Sequence, residues 1–165
     1  MLKPVSEWIK HSFQTVENVS SDSLEQLLKE DRDRVVLVDA RSQAEYEVSH
    51  IEGAVRVDPD ASNMDNVVQQ LGLPDVQKEN KTVVCYCTVG YHGSQMAQKL
   101  SGFLANGSGR HEEVLPRVYN LEGGLVKWAN ERKEIVDGRN KPTALVHPYN
   151  QVWGQLLEPE LRASF

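Results

Sequence analysis

The chain is poor in the features that usually place a sequence quickly. It has two cysteines in 165 residues. That is too few for a disulfide framework, so free thiols in a reducing compartment are expected. No apolar run approaches the roughly 18 residues of a membrane span. The opening MLKPVSEWIKHSF has neither the apolar core of a secretory signal nor the arginines of a transit peptide. A cytoplasmic location and no membrane partner are the expectations. An excess of basic residues is missing as well. The net charge is −6, and phosphate binding needs a basic face, so nucleic acid is not expected as a partner. There is no arginine between Arg56 and Arg110. That gap removes the cationic fork with which a cysteine phosphatase loop holds phosphate.

What is present fits one globular domain, with 39% hydrophobic and 25% charged residues. Pro4 to Phe13 reads as a short helix with Val5, Trp8, Ile9 and Phe13 on one face. Asp22 followed by Glu25 fits a capping box opening SLEQLLKE. RVVLVDA, GAVRV, KTVVCYC and RVYNL read as strands. AEYEV reads as one helical turn, NMDNVVQQLGL as a helix closed by Gly72 and Pro74, and GSQMAQKLSGFLA and GGLVKWANE as further helices. The last segment is broken by Pro142, Pro148 and Pro159. Strands without a polar face, alternating with helices, argue an α/β fold with a mostly parallel central sheet flanked by helices on both faces. Sites in such sheets form beyond the carboxyl ends of the strands. The segments after Val38, Val57, Cys87 and Leu121 should therefore share one rim, and NGSGRHEEVLP should lie on the other.

Both cysteines fall in TVVCYCTVGYHGSQMA. Within a strand they would share a face, since side chains repeat every two residues. Cys85 sits inside the apolar run, where a small buried hydrophobe is the simple reading. Cys87 stands where strand gives way to loop. There a thiolate can be stabilised by loop N–H groups and by the start of the next helix, and Gly90 allows a tight turn. On the residues alone, Cys87 is either a reactive thiol or a buried one. A metal site from Cys85, Cys87 and His92 lacks a fourth ligand, and C-x-x-C for thiol–disulfide exchange is absent. Sulfur transfer needs only a thiolate and a ring of N–H donors. No cofactor or metal is expected.

The chain resembles single-domain rhodanese-like proteins. VLVDARSQAEYEVSHIEGAVRV, VVCYCTVGYHGSQMAQKL and VYNLEGGLVKW are similar to that family's first signature, its active-site strand, loop and helix, and its closing strand and helix, in the same order. The resemblance implies a three-layer rhodanese-like domain over 20–136, a helical extension over 1–19 and a packed extension over 137–165. It places the sulfur-carrying cysteine at Cys87, with a six-residue loop of Cys87, Thr88, Val89, Gly90, Tyr91 and His92, followed by Gly93. The implied activity is that of a sulfurtransferase resembling thiosulfate sulfurtransferase. Sulfane sulfur would pass from a small-molecule donor such as thiosulfate to cyanide, a thiol or a protein acceptor. A weak or inactive module with a binding or regulatory role is the alternative.

One departure stands out. Many members carry Gly-x-Arg-Ser where this chain has Gly90-Tyr91-His92-Gly93. A histidine is cationic only in part at neutral pH, so weaker use of a dianionic donor is expected, improving as pH falls. Ser94 could cap the helix in place of a residue 93 hydroxyl. Arg41 could orient an anionic donor from the active rim or pair with Asp39, and Asp39 is expected to accept N–H groups at the strand end. His50 reads as a hydrogen-bonded structural histidine, Gly123 and Gly124 as a tight turn and Trp128 as core. PTALVHPYNQVW is expected to be ordered, with His147 or Trp153 shaping the pocket as the functional reading and packing over the core as the bland one.

Overall fold

A computed structural model of the chain describes residues 2–72, 81–107 and 117–164. Five strands form one sheet: β1 (Glu17–Val19), β2 (Val35–Asp39), β3 (Val55–Arg56), β4 (Thr82–Tyr86) and β5 (Arg117–Leu121). Their order is β1-β5-β4-β2-β3, and every neighbouring pair is parallel. The β-branched runs of β2 and β4 are buried on both faces, which is what a central parallel strand requires. Leu37, Val84 and Tyr86 join one apolar cluster. Val38, Val83 and Cys85 join the other. The period of two thus divides each strand between two cores.

The first core is covered by α1 (Leu2–Ser12), α2 (Ser21–Asp31) and α6 (Gly124–Asn130), through Ile9, Leu24, Leu28, Leu125 and Trp128. The second is covered by α4 (Met64–Gln70) and α5 (Tyr91–Gly107), through Met64, Val67, Met96, Ala97 and Leu100. The short α3 (Gln43–Val48) follows β2. A two-stranded antiparallel pair, β6 (Ile135–Val136) with β7 (Pro142–Thr143), and α7 (Gln151–Gly154) complete the chain after α6. The fold is a three-layer α/β domain with a mostly parallel central sheet, as the strand patterning indicates.

Two local expectations are corrected. The N-cap of α2 is Ser20, whose side chain accepts the Ser23 N–H. Asp22 instead meets Lys133 at 2.8 Å, so the Asp22–Glu25 spacing marks a salt bridge and not a capping box. The capping box belongs to α3: the Ser42 side chain accepts the Glu45 N–H, and Glu45 reaches back to the Ser42 N–H. Helix α1 buries Ile9, but Trp8 is 53% exposed. Helix α4 ends at Gln70, with Gly72 at φ 69° just after it; Pro74 lies outside the described residues. So does most of NGSGRHEEVLP, because α5 runs to Gly107 and 108–116 are not described.

The carboxyl ends of β2, β4 and β5 finish side by side, with Val38 level with Cys85 and Cys85 level with Asn120. The turns after them form the rim that carries the cysteine loop.

Candidate active site

Strand β4 stops at Tyr86, and Cys87 is the next residue. The alternation that buries Cys85 therefore ends before it reaches Cys87. Cys85 lies in the core beneath α5, while Cys87 sits at the floor of a pocket. Its Sγ accepts the Gly90 N–H at 3.1 Å. Gly90 takes φ 122°, a region that side chains other than glycine rarely enter. Its carbonyl accepts the Ser94 N–H at 2.9 Å. Gly90 therefore closes the first turn of α5, and Ser94 lies inside that turn rather than capping it.

Helix α5 comes very close to the sheet here. A Cβ on residue 93 would lie 2.5 Å from Asn120 Oδ1 and 3.0 Å from the Tyr86 Cα, so only glycine fits. Asn120 is buried, and its Nδ2 donates to Asn18 Oδ1 at 2.9 Å.

Two further elements brace the loop. The N–H groups of Leu125 and Val126, opening α6, donate to the carbonyls of Cys87 and Thr88 at 2.9 and 3.0 Å. Gly123 and Gly124, at φ 81° and 60°, make that approach possible. From α3, the buried Glu45 accepts the Thr88 hydroxyl at 3.0 Å with Oε2, while its Oε1 accepts the Ser42 hydroxyl at 2.9 Å. One carboxylate thus ties a helix cap to the residue after the cysteine.

Burial pushes the Cys87 thiol above its ordinary pKa; the N–H groups of Gly93, Gly90, Val89 and His92 pull in the other direction and offset part of the rise. Burial raises Cys85 much further. Both shifts reduce the thiolate present at neutral pH. Alkylation of Cys87 by iodoacetamide, followed by peptide mass, is expected to accelerate with pH and still be climbing above about pH 10, where an ordinary thiol of pKa about 8.5 has levelled off. A plateau near pH 7 would show that the N–H groups outweigh burial.

The pocket over Cys87 has a volume of about 340 Å³. Thr88, Val89, Tyr91 and His92 supply its base, and Trp8, Tyr149, Asn150 and Trp153 its walls. Trp8 stacks on Tyr91 with ring centroids 5.8 Å apart, and Tyr149 meets His92 edge-on at 5.9 Å. No lysine or arginine is among the described residues that line it. A larger cavity, about 630 Å³, lies between α2, α6 and β6–β7, and neither cysteine lines it.

The walls are held by the end of the chain. Asn130 of α6 donates to the Leu156 carbonyl at 2.9 Å and accepts the Glu158 N–H at 3.0 Å. Val146, Leu157 and Leu161 enter the core. Tyr149 takes φ 73°, and its N–H donates to His147 Nδ1 at 3.0 Å. Trp153 reaches the pocket; His147 is not among the residues lining it.

Arg41 and Asp39 stand outside the pocket. Asp39 is fully buried at the end of β2. Arg41 curls back to it, with Nε and Nη2 donating to the two carboxylate oxygens at 2.8 and 2.7 Å and Nη2 also to the Ser49 carbonyl at 2.6 Å. Burial opposes the Arg41 charge, and the Asp39 carboxylate more than offsets this, so its pKa is raised. Of the two readings open for Arg41, the structure has the pair with Asp39, whose carboxylate accepts the Arg41 side-chain N–H groups. The reason is charge: a carboxylate without solvent needs a counter-ion. His50 is structural, stacked on Tyr46 at 3.8 Å with Nδ1 2.8 Å from the Tyr46 carbonyl. Trp128 is core, with its indole N–H donating to the Glu134 carbonyl at 2.9 Å.

Sequence reasoning missed Glu45, Asn120, Trp8 and Tyr149. The Ser42-x-x-Glu45 spacing is a capping-box signal that could have marked Glu45. The other three depend on contacts distant in the chain.

The Rhodanese-like domain model matches residues 20–131. Among curated proteins, a tRNA uridine(34) hydroxylase of Shouchella clausii is 32% identical over 118 residues, covering 70% of this chain and 32% of the relative. That of Staphylococcus carnosus is 34% identical over 116 residues, covering 65% and 31%. The chain thus spans about a third of the length of these relatives. Among solved structures, a thiosulfate sulfurtransferase from Pseudomonas aeruginosa aligns with a TM-score of 0.59 at 17% identity, over 94% of this chain and 26% of that one. A Bacillus halodurans protein aligns with a TM-score of 0.55 at 20% identity, over 90% and 98%. These structures share the fold, and the family match covers the whole cysteine loop. The chain belongs to the rhodanese-like family.

Proposed function

We propose that Cys87 carries sulfane sulfur as a persulfide and that the protein is a sulfurtransferase. The observation that supports this most is the Cys87 sulfur itself, hydrogen-bonded to Gly90 N–H at 3.1 Å and facing a pocket. With thiosulfate as donor, the Cys87 thiolate attacks the outer sulfur. A Cys87 S–S bond forms, the S–S bond to sulfite breaks, and sulfite leaves with the electron pair. Cyanide or a thiolate then attacks the outer sulfur of the persulfide, leaves as thiocyanate or a new persulfide, and returns the Cys87 thiolate. The loop N–H groups stabilise the outer anionic sulfur in between. The net charge of −6 favours a small-molecule or protein acceptor over tRNA for this stretch of chain.

A second reading is a rhodanese-like module that binds or regulates without transferring sulfur. The raised Cys87 pKa and the lack of a fixed cation among the described lining residues favour it. Intact mass after incubation with a sulfane donor separates the two. Transfer predicts a gain of about 32 Da (one sulfur) on the wild type and Cys85→Ser, and none on Cys87→Ser. No gain with any donor would favour the module.

A further inference from the structure

Resting on the sulfur-transfer reading, we infer that the pocket selects a monoanionic organic sulfane-sulfur donor with a flat apolar group, R–S–S⁻ or R–SO₂–S⁻, in preference to dianionic thiosulfate. Three observations converge on this. First, charge: thiosulfate would bring two negative charges to a pocket whose described lining holds no lysine or arginine. The Arg41 guanidinium is committed to Asp39 and does not line the pocket. Loop N–H groups can stabilise one anionic sulfur, but they leave a second charge at the mouth with no fixed cation, His92 being the one described lining side chain able to carry positive charge.

Second, the walls are aromatic. Trp8, Tyr91, Tyr149 and Trp153 all line the pocket. Among the described residues, five large hydrophobic side chains are exposed, and three of these are Trp8, Tyr91 and Tyr149. Exposed apolar side chains gathered around one cavity mark a binding site more often than scattered ones. The volume, about 340 Å³, suits a small organic molecule.

Third, the aromatics are placed at a cost. Tyr149 is 44% exposed and sits at φ 73°, a conformation that is unfavourable for a bulky residue and persists only where surrounding contacts impose it. Here the His147–Tyr149 turn and the Asn150 cap of α7 impose it: Asn150 Oδ1 accepts the Trp153 N–H at 2.8 Å. Packing of the core does not call for an exposed ring in this position.

The chemistry balances without an added oxidant or reductant. The Cys87 thiolate attacks the terminal sulfur of R–SO₂–S⁻. The new Cys87 S–S bond forms as the S–S bond between the sulfonyl sulfur and the terminal sulfur breaks, and R–SO₂⁻ leaves with the pair. With R–S–S⁻ the leaving group is R–S⁻.

The test is single-turnover persulfide formation with no acceptor present, so that only the donor step is read. Thiosulfate, methanethiosulfonate and benzenethiosulfonate anions are compared, each rate constant divided by its rate with free cysteine. Methanethiosulfonate carries one charge and no ring. The expected order is benzene over methane over thiosulfate, with the ring adding about tenfold. In Trp8→Ala and Trp153→Ala the benzene-to-methane ratio should fall toward one; Trp8, being largely exposed, gives a variant that folds. Thiosulfate reacting fastest, or a ratio unchanged in both variants, would overturn the inference. No adduct from any of the three would overturn the sulfur-transfer reading and this inference with it.

Discussion

Gly124→Ala is expected to slow persulfide formation on Cys87 by about 100-fold or more, and to lower stability by about 3 kcal/mol. A methyl group at this position would lie 2.4 Å from the Thr88 carbonyl oxygen and 2.7 Å from that of Cys87, both backbone atoms that cannot swing aside. The residue also sits at φ 60°, which costs about 1–2 kcal/mol for a residue with a Cβ. Relief requires α6 to withdraw. That breaks the Leu125 N–H bond to Cys87 and the Val126 N–H bond to Thr88, each contributing about 1 kcal/mol. The cysteine loop loses its brace, and displacement of a reacting group by about 1 Å is enough for a 100-fold loss. Rapid-quench mass spectrometry on folded protein, paired with a urea melt, measures both effects. A variant with the wild-type rate would mean that the loop holds its shape without α6.

The second large effect is expected at Arg41. Arg41→Met should cost about 4 kcal/mol, because it leaves the fully buried Asp39 carboxylate without its bidentate partner. For a chain of this size that corresponds to a melting temperature lower by roughly 10 °C. Asp39→Asn combined with Arg41→Met should cost less than Arg41→Met alone, since no unpaired charge remains. Thermal and urea unfolding of the two variants decide the matter. A donor-orienting role would look different: a raised thiosulfate KM in protein of normal stability.

The parts of the fold that were legible are those where burial imposes a pattern. VVLVD and TVVCY carry branched apolar residues throughout, because both faces of a central parallel strand are covered. The strand-end position of Cys87 followed from the same runs. Strand β1, Glu17–Val19, escaped notice because an edge strand of three residues with a polar start has no such pattern. The Ser20 cap was obscured by Asp22, a residue of equally suitable type whose partner, Lys133, lies 111 positions on. The same holds for the site. The loop could be read from local spacing, whereas its walls come from Trp8 and Tyr149, on opposite ends of the chain and beyond the span 20–131 that the family model matches. Helical periodicity put Trp8 on a buried face because period alone cannot tell core from pocket rim.

Gly93 and Asn120 have a consequence for how this chain can be altered. The Asn120 side chain occupies the space that a residue 93 side chain would enter, 2.5 Å from the position of its Cβ. The serine of the Gly-x-Arg-Ser pattern therefore cannot be introduced at residue 93 by a single substitution. Gly93→Ser is blocked by the Asn120 side chain and crowded by the Tyr86 backbone at 3.0 Å, so a smaller residue 120 relieves only part of the clash, and that replacement releases Asn18 on the edge strand. The two positions are coupled: the residue at 120 constrains which loops are within reach of a single substitution at 93.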